Sequence, residues 1–289
     1  MNRLALGTAQ FGLPYGVANR NGQVTRLAAK KILKLAAANG IDTLDTAISY
    51  GDSETCLGEA GTEGFKLVTK LPAVPNDCMD VNSWVQQQVN ASLARLGVTS
   101  IYGLLLHRSE QLLSTNGPVL FQVLRELRDS GQVQKVGISI YSPNELDALT
   151  LRYPIDMVQA PFSLIDRRLQ RTGWLQRLKD CGVEVHARSV FLQGLLLMPK
   201  SDIPAKFTPW NTLWYQWHKW IAESGVSPLH ACLAFPLSVP EIDRVVVGSD
   251  SLNQLAQILR AASSLSMGEF PDLECEDENL INPTMWSTL

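Results

Sequence analysis

Four side chains in the first part of the sequence have complementary acid–base chemistry and stand within or just after short apolar segments. They are Asp45, Tyr50, Lys70 and His107. A phenol can serve as a general acid, and an ammonium group beside it would lower its usual pKa of about 10. A carboxylate would keep that ammonium charged, and an imidazole can donate a hydrogen bond to a carbonyl oxygen. The set suits protonation of an oxygen that gains negative charge, which carbonyl reduction by hydride requires.

Each of these residues also has an ordinary explanation when it is considered alone. Tyr50 could pack at the surface, and Lys70 could simply be exposed to solvent. Asp45 could be a buried hydrogen-bonding residue, and His107, which follows three leucines, could be a core histidine with satisfied partners. The catalytic interpretation therefore depends on whether the fold brings the four side chains together.

Eight short β-rich segments are available to position these side chains. Several are almost continuously apolar, such as Leu104–Leu106 and Val245–Val247, and this is typical of strands buried on both faces of a parallel sheet. The predicted strands are Arg3–Gly7, Thr43–Ala47, Lys66–Leu71, Ile101–His107, Val133–Ile140, Met157–Ala160, Glu184–Arg188 and Arg244–Val247.

Helical patterns separate the predicted strands, including a single helix predicted over Arg168–Cys181. Eight strand–helix units of about 36 residues predict an α/β fold, a (β/α)8 TIM barrel formed by a single domain over residues 1–268. Loops at the carboxyl ends of barrel strands meet on one face, so the four side chains are expected to converge there. The alternative is a doubly wound sheet, but residues 7–12 have the sequence GTAQFG, which is not its dinucleotide fingerprint.

Two segments outside this repeat are candidates for covering a site. Residues 269–289 form a C-terminal tail that is acidic at its start, with a solvated tail and a flap over the site as alternatives. Pro199–Asn211, after the seventh strand, is a candidate lid.

Four tryptophans stand at helical spacing, and the first of them lies within the candidate lid. They either pack on the barrel or form an aromatic wall, with Trp210 the candidate substrate contact. They are Trp210, Trp214, Trp217 and Trp220.

Composition narrows the class of protein. The net charge is −3 and 45% of the residues are hydrophobic, which argues against a disordered chain and against a nucleic-acid binder that relies on basic charge. No apolar run suits a signal peptide or a membrane span, so a cytoplasmic location is predicted. The five cysteines are scattered, and neither they nor the four histidines show a metal-binding spacing. The sequence leaves the oligomeric state open.

The residues from Asp45 to Glu54, in the sequence DTAISYGDSE, resemble the signature of the aldo-keto reductase family. Lys70 and His107 match that family's lysine and histidine, and the resemblance extends from Leu6 to about Leu259. It implies a (β/α)8 barrel that reduces an aldehyde or ketone with a nicotinamide dinucleotide, with Tyr50 as general acid.

The resemblance also implies a set of dinucleotide contacts. They are Gly7, Thr8, Asp45, Ser139, Gln159, Arg188, Ser189, Gly194, Gly248, Ser249 and Gln254.

Two positions depart from the family pattern. Arg188 replaces an aromatic residue that stacks on the nicotinamide, and Asp250 stands where many members carry a cation for the 2′-phosphate of NADP. NADP(H) is the family's usual cofactor and is expected here, with NAD(H) as the alternative because Asp250 would repel that phosphate.

Two other functions remain open on the same residues. The chain could bind the dinucleotide as a regulatory subunit without significant turnover. It could also act in the reverse direction, as a dehydrogenase of a sugar-like alcohol. The identity of the small-molecule substrate is not visible in the sequence.

Overall fold

Eight parallel strands close into a barrel in the order β1 to β8. The computed structural model describes residues 2–263 and 269–289. The strands are β1 (Leu4–Gly7), β2 (Thr43–Asp45), β3 (Lys66–Leu71), β4 (Ile101–Leu106), β5 (Val133–Ser139), β6 (Met157–Pro161), β7 (Glu184–Arg188) and β8 (Arg244–Gly248). The ring closes where Gly7 pairs with Gly248 on one side and with Asp45 on the other. The predicted (β/α)8 barrel is confirmed.

Helices surround the barrel and bury their apolar faces against the strands, as in α5, where Leu120, Leu124 and Leu127 are buried. Some helices begin with a side-chain cap, as in α2, where the Thr25 side chain accepts from the backbone N–H of Ala28. The helices are α1 (Ala9–Gly12), α2 (Arg26–Ala38), α3 (Ser53–Ala60), α4 (Val81–Leu96), α5 (Gly117–Asp129), α6 (Asn144–Leu149), α7 (Arg168–Arg171), α8 (Trp174–Asp180), α9 (Asn211–Ser224), α10 (Pro228–Ser238), α11 (Leu252–Ser263) and α12 (Glu278–Ile281).

The helix predicted over Arg168–Cys181 is in fact two helices, α7 and α8. The break lies at Gly173, whose φ of 76° is left-handed and interrupts the regular backbone hydrogen bonds. The candidate lid Pro199–Asn211 also has structure of its own. It contains two short 3₁₀ helices, Lys200–Asp202 and Ala205–Trp210.

The tryptophan series packs mainly into the protein. Trp214 and Trp217 of α9 are each 1% exposed, and their indole N–H groups donate to the carbonyl oxygens of Phe207 and Leu196. The rings of Trp217 and Trp220 stack at 5.8 Å. Core packing, one of the two predicted alternatives, therefore accounts for these three residues.

The C-terminal tail packs against the segment that follows β6. The backbone N–H of Cys275 donates to the carbonyl of Ile165, and the Glu278 carboxylate accepts from Arg168. Trp286 is buried and donates to the carbonyl of Leu280. The predicted boundary between barrel and tail at residue 268 lies outside the described residues.

Two further properties bear on partners. Within residues 2–263 and 269–289, no helix combines the length and the apolar character that crossing a bilayer would need. In the same part of the chain, no three His, Cys, Asp or Glu side chains are grouped so that they could hold a metal ion.

Candidate active site

A buried ion pair joins the ends of β2 and β3. Lys70 Nζ donates to both carboxylate oxygens of Asp45, at 2.7 and 2.8 Å, and to the carbonyl of Thr46 at 2.8 Å. Lys70 is 1% exposed and Asp45 is 4% exposed. With three acceptors around three N–H donors, the ammonium is fully hydrogen-bonded although it is out of contact with water. The neighbouring strands thus hold the lysine in a single position.

Tyr50 and His107 lie beside this ion pair. Lys70 Nζ is 5.2 Å from the centre of the Tyr50 ring, and the Tyr50 and His107 rings meet edge to face at 5.9 Å. The Ser49 hydroxyl is 3.2 Å from His107 Nδ1, which leaves Nε2 as the ring nitrogen available to a ligand. Burial, and then the positive charge of Lys70, lower the pKa of His107 to about 4. The imidazole is therefore neutral at neutral pH.

The pKa of Tyr50 differs from the sequence-based expectation. Burial, and then the charge of Asp45, raise this pKa, and the cation that opposes them is Arg188 rather than Lys70. Lys70 is engaged by Asp45 at hydrogen-bond distance, and at the phenol the lysine does not offset the effect of the carboxylate on the pKa. In this arrangement Tyr50 remains a protonated phenol over the physiological pH range.

These four side chains open into one cavity of about 390 Å³ at the carboxyl ends of the strands. Most of the rest of its wall comes from the ends of β1, β5, β7 and β8 and the loops that follow them, and α10, α11 and β6 contribute further residues. The lining comprises Gly7, Thr8, Ala9, Gln10, Tyr15, Gly16, Ala18, Asn19, Asp45, Tyr50, Lys70, His107, Ser139, Tyr141, Gln159, Arg188, Ser189, Val190, Phe191, Gln193, Gly194, Leu197, Leu229, Val246, Gly248, Asp250, Gln254, Gln257 and Ile258.

Most of the sequence-predicted dinucleotide contacts line this cavity. Ser249 does not: it is 1% exposed, and its hydroxyl donates to the carbonyl of Ser251. Trp210 does not line the cavity either, because its indole N–H is directed to Asp277 of the tail. Among the residues that the structure describes, the tail contributes nothing to the lining.

A polar pair on β5 and β6 marks one end of the cavity. Ser139 and Gln159 are register partners on these adjacent strands. Gln159 is fully buried and its amide N–H donates to Asp45 Oδ1 at 2.7 Å. Its carbonyl oxygen, Oε1, has no hydrogen-bond partner among the described residues. A buried acceptor without a donor is costly, so this position suits a ligand that carries an N–H group, such as a carboxamide.

The loop of residues 13–24, here called the overlying loop, was not singled out by the sequence. Tyr15 accepts a hydrogen bond from Gln193 at 3.1 Å, and Arg20 pairs with Asp202 at 3.1 Å. The loop thus reaches across the cavity to the segment after β7. Its sequence signal is turn-forming composition, in Leu13-Pro14-Tyr15-Gly16 and again in Asn21-Gly22.

The segment after β7 holds unusual backbone conformations. Ser189, Leu192 and Gln193 have φ values of 60°, 47° and 51°, in the left-handed region that non-glycine residues rarely adopt. Residues with such backbone conformations are common at functional sites, where contacts with the surrounding structure offset the free energy of the strained conformation. Gly194 follows with φ of 92°, and a side chain there would meet Ala18 of the overlying loop.

A second buried network holds the segment that carries Tyr50. The Glu54 carboxylate on α3 is 1% exposed and accepts from Thr69, Ser92 and Arg95 at 2.6 to 2.9 Å. It therefore ties α3 to β3 and α4, and this fixes where the preceding loop leaves the barrel.

We expect Glu54→Ala to destabilise the fold by about 3 kcal/mol, because it leaves the donors of Ser92, Thr69 and Arg95 without their acceptor. Urea-induced unfolding measures the change. Glu59→Gln, on the exposed side of the same helix, is the matched control and should cost less than about 0.5 kcal/mol. Equal losses for the two variants would contradict the structural role of Glu54.

The fold and the site define a (β/α)8-barrel protein with an acid–base cluster in a cavity at the carboxyl ends of its strands. The sequence profile described as "Aldo/keto reductase family" matches residues 3–274. The chain belongs to the aldo/keto reductase family, and this supports an oxidoreductase function.

Individual relatives agree with this placement. The chain is 26% identical over 290 residues to an uncharacterized oxidoreductase, YqkF, of Bacillus subtilis, with 93% of this chain and 94% of that protein covered. It is 29% identical over 173 residues to aldo-keto reductase str7 of Strobilurus tenacellus, covering 57% of this chain and 51% of the relative. The holo structure of aldo-keto reductase AKR11C1 from Bacillus halodurans matches with a TM-score of 0.72 at 21% identity, covering 92% of this chain and 88% of that one.

Proposed function

We propose that this protein reduces an aldehyde or ketone to an alcohol with a reduced nicotinamide dinucleotide, and that Tyr50 is the general acid. The observation that carries the proposal is the meeting of Tyr50, Lys70, Asp45 and His107 in one cavity. Members of the family generally use such a dinucleotide, and the oxidoreductase relatives are consistent with this chemistry.

The cavity fits a nicotinamide at the end formed by β5 and β6. The unpartnered Gln159 Oε1 would accept from the carboxamide N–H, and the hydroxyl of Ser139, the register partner of Gln159, would bond the same group. When bound, the dinucleotide supplies the hydride that the carbonyl carbon accepts. The chain's own residues would then stabilise and protonate the carbonyl oxygen, on which negative charge develops.

Tyr50 would deliver the proton to that oxygen. The phenolic O–H bond breaks and an O–H bond forms on the substrate, which leaves a phenolate on the enzyme. Because burial and Asp45 keep the free phenol protonated, the acid is available at neutral pH. Arg188, the cation that favours the phenolate, would stabilise the charge that remains after transfer.

His107 and the Lys70–Asp45 pair would have positioning roles. The neutral imidazole can donate from Nε2 to the carbonyl oxygen and orient it toward the phenol. Lys70 Nζ lies over the Tyr50 ring, 5.2 Å from its centre, and would fix the position of the ring, while Asp45 would favour the charged form of the lysine. Lys70 and Gln159 are buried, and the lower local dielectric would strengthen the polar contacts that these two residues make.

The proposal can be tested by measuring the oxidation of NADH and NADPH by the purified protein in the presence of a panel of aldehydes and ketones. Dinucleotide binding is measured in a separate experiment. We expect binding and substrate-dependent turnover with at least one carbonyl compound. Binding without turnover on any compound, in either direction, would favour the regulatory-subunit alternative. Turnover only of sugar-like alcohols with the oxidised dinucleotide would assign the dehydrogenase direction instead.

A further inference from the structure

Arg188 differs from the other cation in the lining of the cavity. Lys70 is paired with the carboxylate of Asp45 at 2.7 Å. The hydrogen-bond partners of the Arg188 guanidinium among the described residues are neutral: the Ser189 hydroxyl at 3.2 Å and the carbonyl of Ile140 at 2.8 Å. Its positive charge is therefore not neutralised by a direct contact with a carboxylate.

The guanidinium lies beside the position that suits a carboxamide. Arg188 ends β7, and its side chain reaches past β6 to the carbonyl of Ile140, the residue that directly follows Ser139. Gln159, whose Oε1 has no hydrogen-bond partner among the described residues, is on β6 between these two strands. The guanidinium also stacks on Tyr141, with its central carbon 4.5 Å from the ring centre. A ring whose carboxamide bonds to Ser139 and Gln159 would therefore have this fixed cation as a neighbour.

The charge of Arg188 also acts at the catalytic end of the cavity. Burial and Asp45 raise the pKa of Tyr50, and Arg188 opposes them. Burial and then Lys70 lower the pKa of His107, and Arg188 adds to this effect. A ring that passes hydride to a carbonyl group held by Tyr50 and His107 must lie between these side chains and the carboxamide position. Such a ring is within the field of the guanidinium.

We propose that Arg188 makes the site selective for the oxidation state of the dinucleotide, so that the reduced form binds more tightly than the oxidised form. The inference rests on the proposed function, because it takes the nicotinamide to lie against Ser139 and Gln159. The oxidised nicotinamide ring has a positive charge and the reduced ring has none, whereas the ribose, phosphate and adenine groups are the same in both forms. Only the oxidised ring is therefore repelled by the guanidinium.

The size of the effect follows from the repulsion between two unit charges. At about 4 Å this repulsion corresponds to roughly fivefold in affinity in water, and to more where burial lowers the effective dielectric constant. Because Arg188 is half-buried, we expect a ratio of at least about tenfold. In the reducing direction, the chain would then hold the dinucleotide product less tightly than the dinucleotide substrate, which favours release of the product.

The experiment is isothermal titration calorimetry of the full chain with NADH and NAD⁺, repeated with NADPH and NADP⁺. In each pair that binds, we expect the reduced form to bind at least about tenfold more tightly, since the two pairs have the same nicotinamide rings. Arg188→Gln removes the charge and should remove most of this ratio, mainly by tightening the binding of the oxidised form. Arg188→Lys keeps the charge and should retain most of the ratio. Arg125→Gln makes the same charge change on the exposed face of α5 and should leave the ratio unchanged.

Three results would overturn the inference and leave the proposed function intact. The first is equal affinity for the two oxidation states in the unmodified chain, a measurement that needs no variant. The second is an unchanged ratio in Arg188→Gln, which would assign the preference to another group. The third is an equal loss of affinity for both forms in Arg188→Gln, which would place the cation beside a group that both share, such as the pyrophosphate. Failure of the unmodified chain to bind any of these dinucleotides would contradict the proposed function as well, so the two failures are distinguishable.

Discussion

Replacing Tyr50 with phenylalanine should lower kcat/KM for carbonyl reduction by roughly 10²–10⁴-fold, the usual contribution of a positioned general acid. The substitution removes one oxygen and leaves the ring that packs against His107 at 5.9 Å. Dinucleotide binding should therefore change little. Steady-state kinetics, together with a fluorescence titration of the dinucleotide, measure the two effects separately.

Tyr15→Phe is the matched comparison, because it removes a second tyrosine hydroxyl from the same cavity. Among the described residues, the hydrogen bond to that hydroxyl comes from Gln193, and burial raises the pKa of Tyr15 to about 12. We expect a much smaller loss than for Tyr50→Phe. Similar losses in the two variants would indicate that the cavity depends on tyrosine packing rather than on proton donation by Tyr50.

Replacing Lys70 with methionine should both abolish most activity and destabilise the fold by about 3 to 5 kcal/mol, since it leaves the Asp45 carboxylate buried without its cation. The double variant Lys70→Met with Asp45→Asn removes both charges. We expect it to recover much of the stability, because no unpaired charge remains, and to recover none of the activity.

Urea-induced unfolding and steady-state kinetics on the same preparations check this pair of expectations. Recovery of activity in the double variant would show that Lys70 and Asp45 only serve the fold. The short Lys70–Asp45 contacts indicate that the lysine offsets the free-energy cost of burying the Asp45 carboxylate. If Lys70→Met alone were as stable as the unmodified chain, this interpretation would be wrong.

Much of the fold could be predicted from the sequence, because short apolar strands alternate with helical segments and few architectures satisfy that pattern. The break between α7 and α8 at Gly173 was not predicted, since a glycine inside a helical pattern is usually tolerated. The residue types of Tyr50, Lys70, Asp45 and His107 suggested their chemistry, and the parallel register explains why they meet.

The electrostatics of the site could not be predicted from spacing. Whether Lys70 or Asp45 has the larger effect on the pKa of Tyr50 depends on side-chain positions across neighbouring strands, which residue spacing does not give. The placement of Tyr15 over the cavity was equally hidden, because its partner Gln193 is 178 residues away in the chain. Such long-range contacts leave little trace in local composition.

The overlying loop has a consequence for the order in which the molecule assembles. Its contacts with Gln193, Asp202 and Asp250 span 178, 182 and 229 residues of sequence. Closing such long chain segments costs entropy before any contact is gained. Asp250 follows β8 in the chain, so the contact of the overlying loop with Asp250 can form only after β8 has been synthesised. A chain that ends before β8 therefore lacks this contact across the cavity.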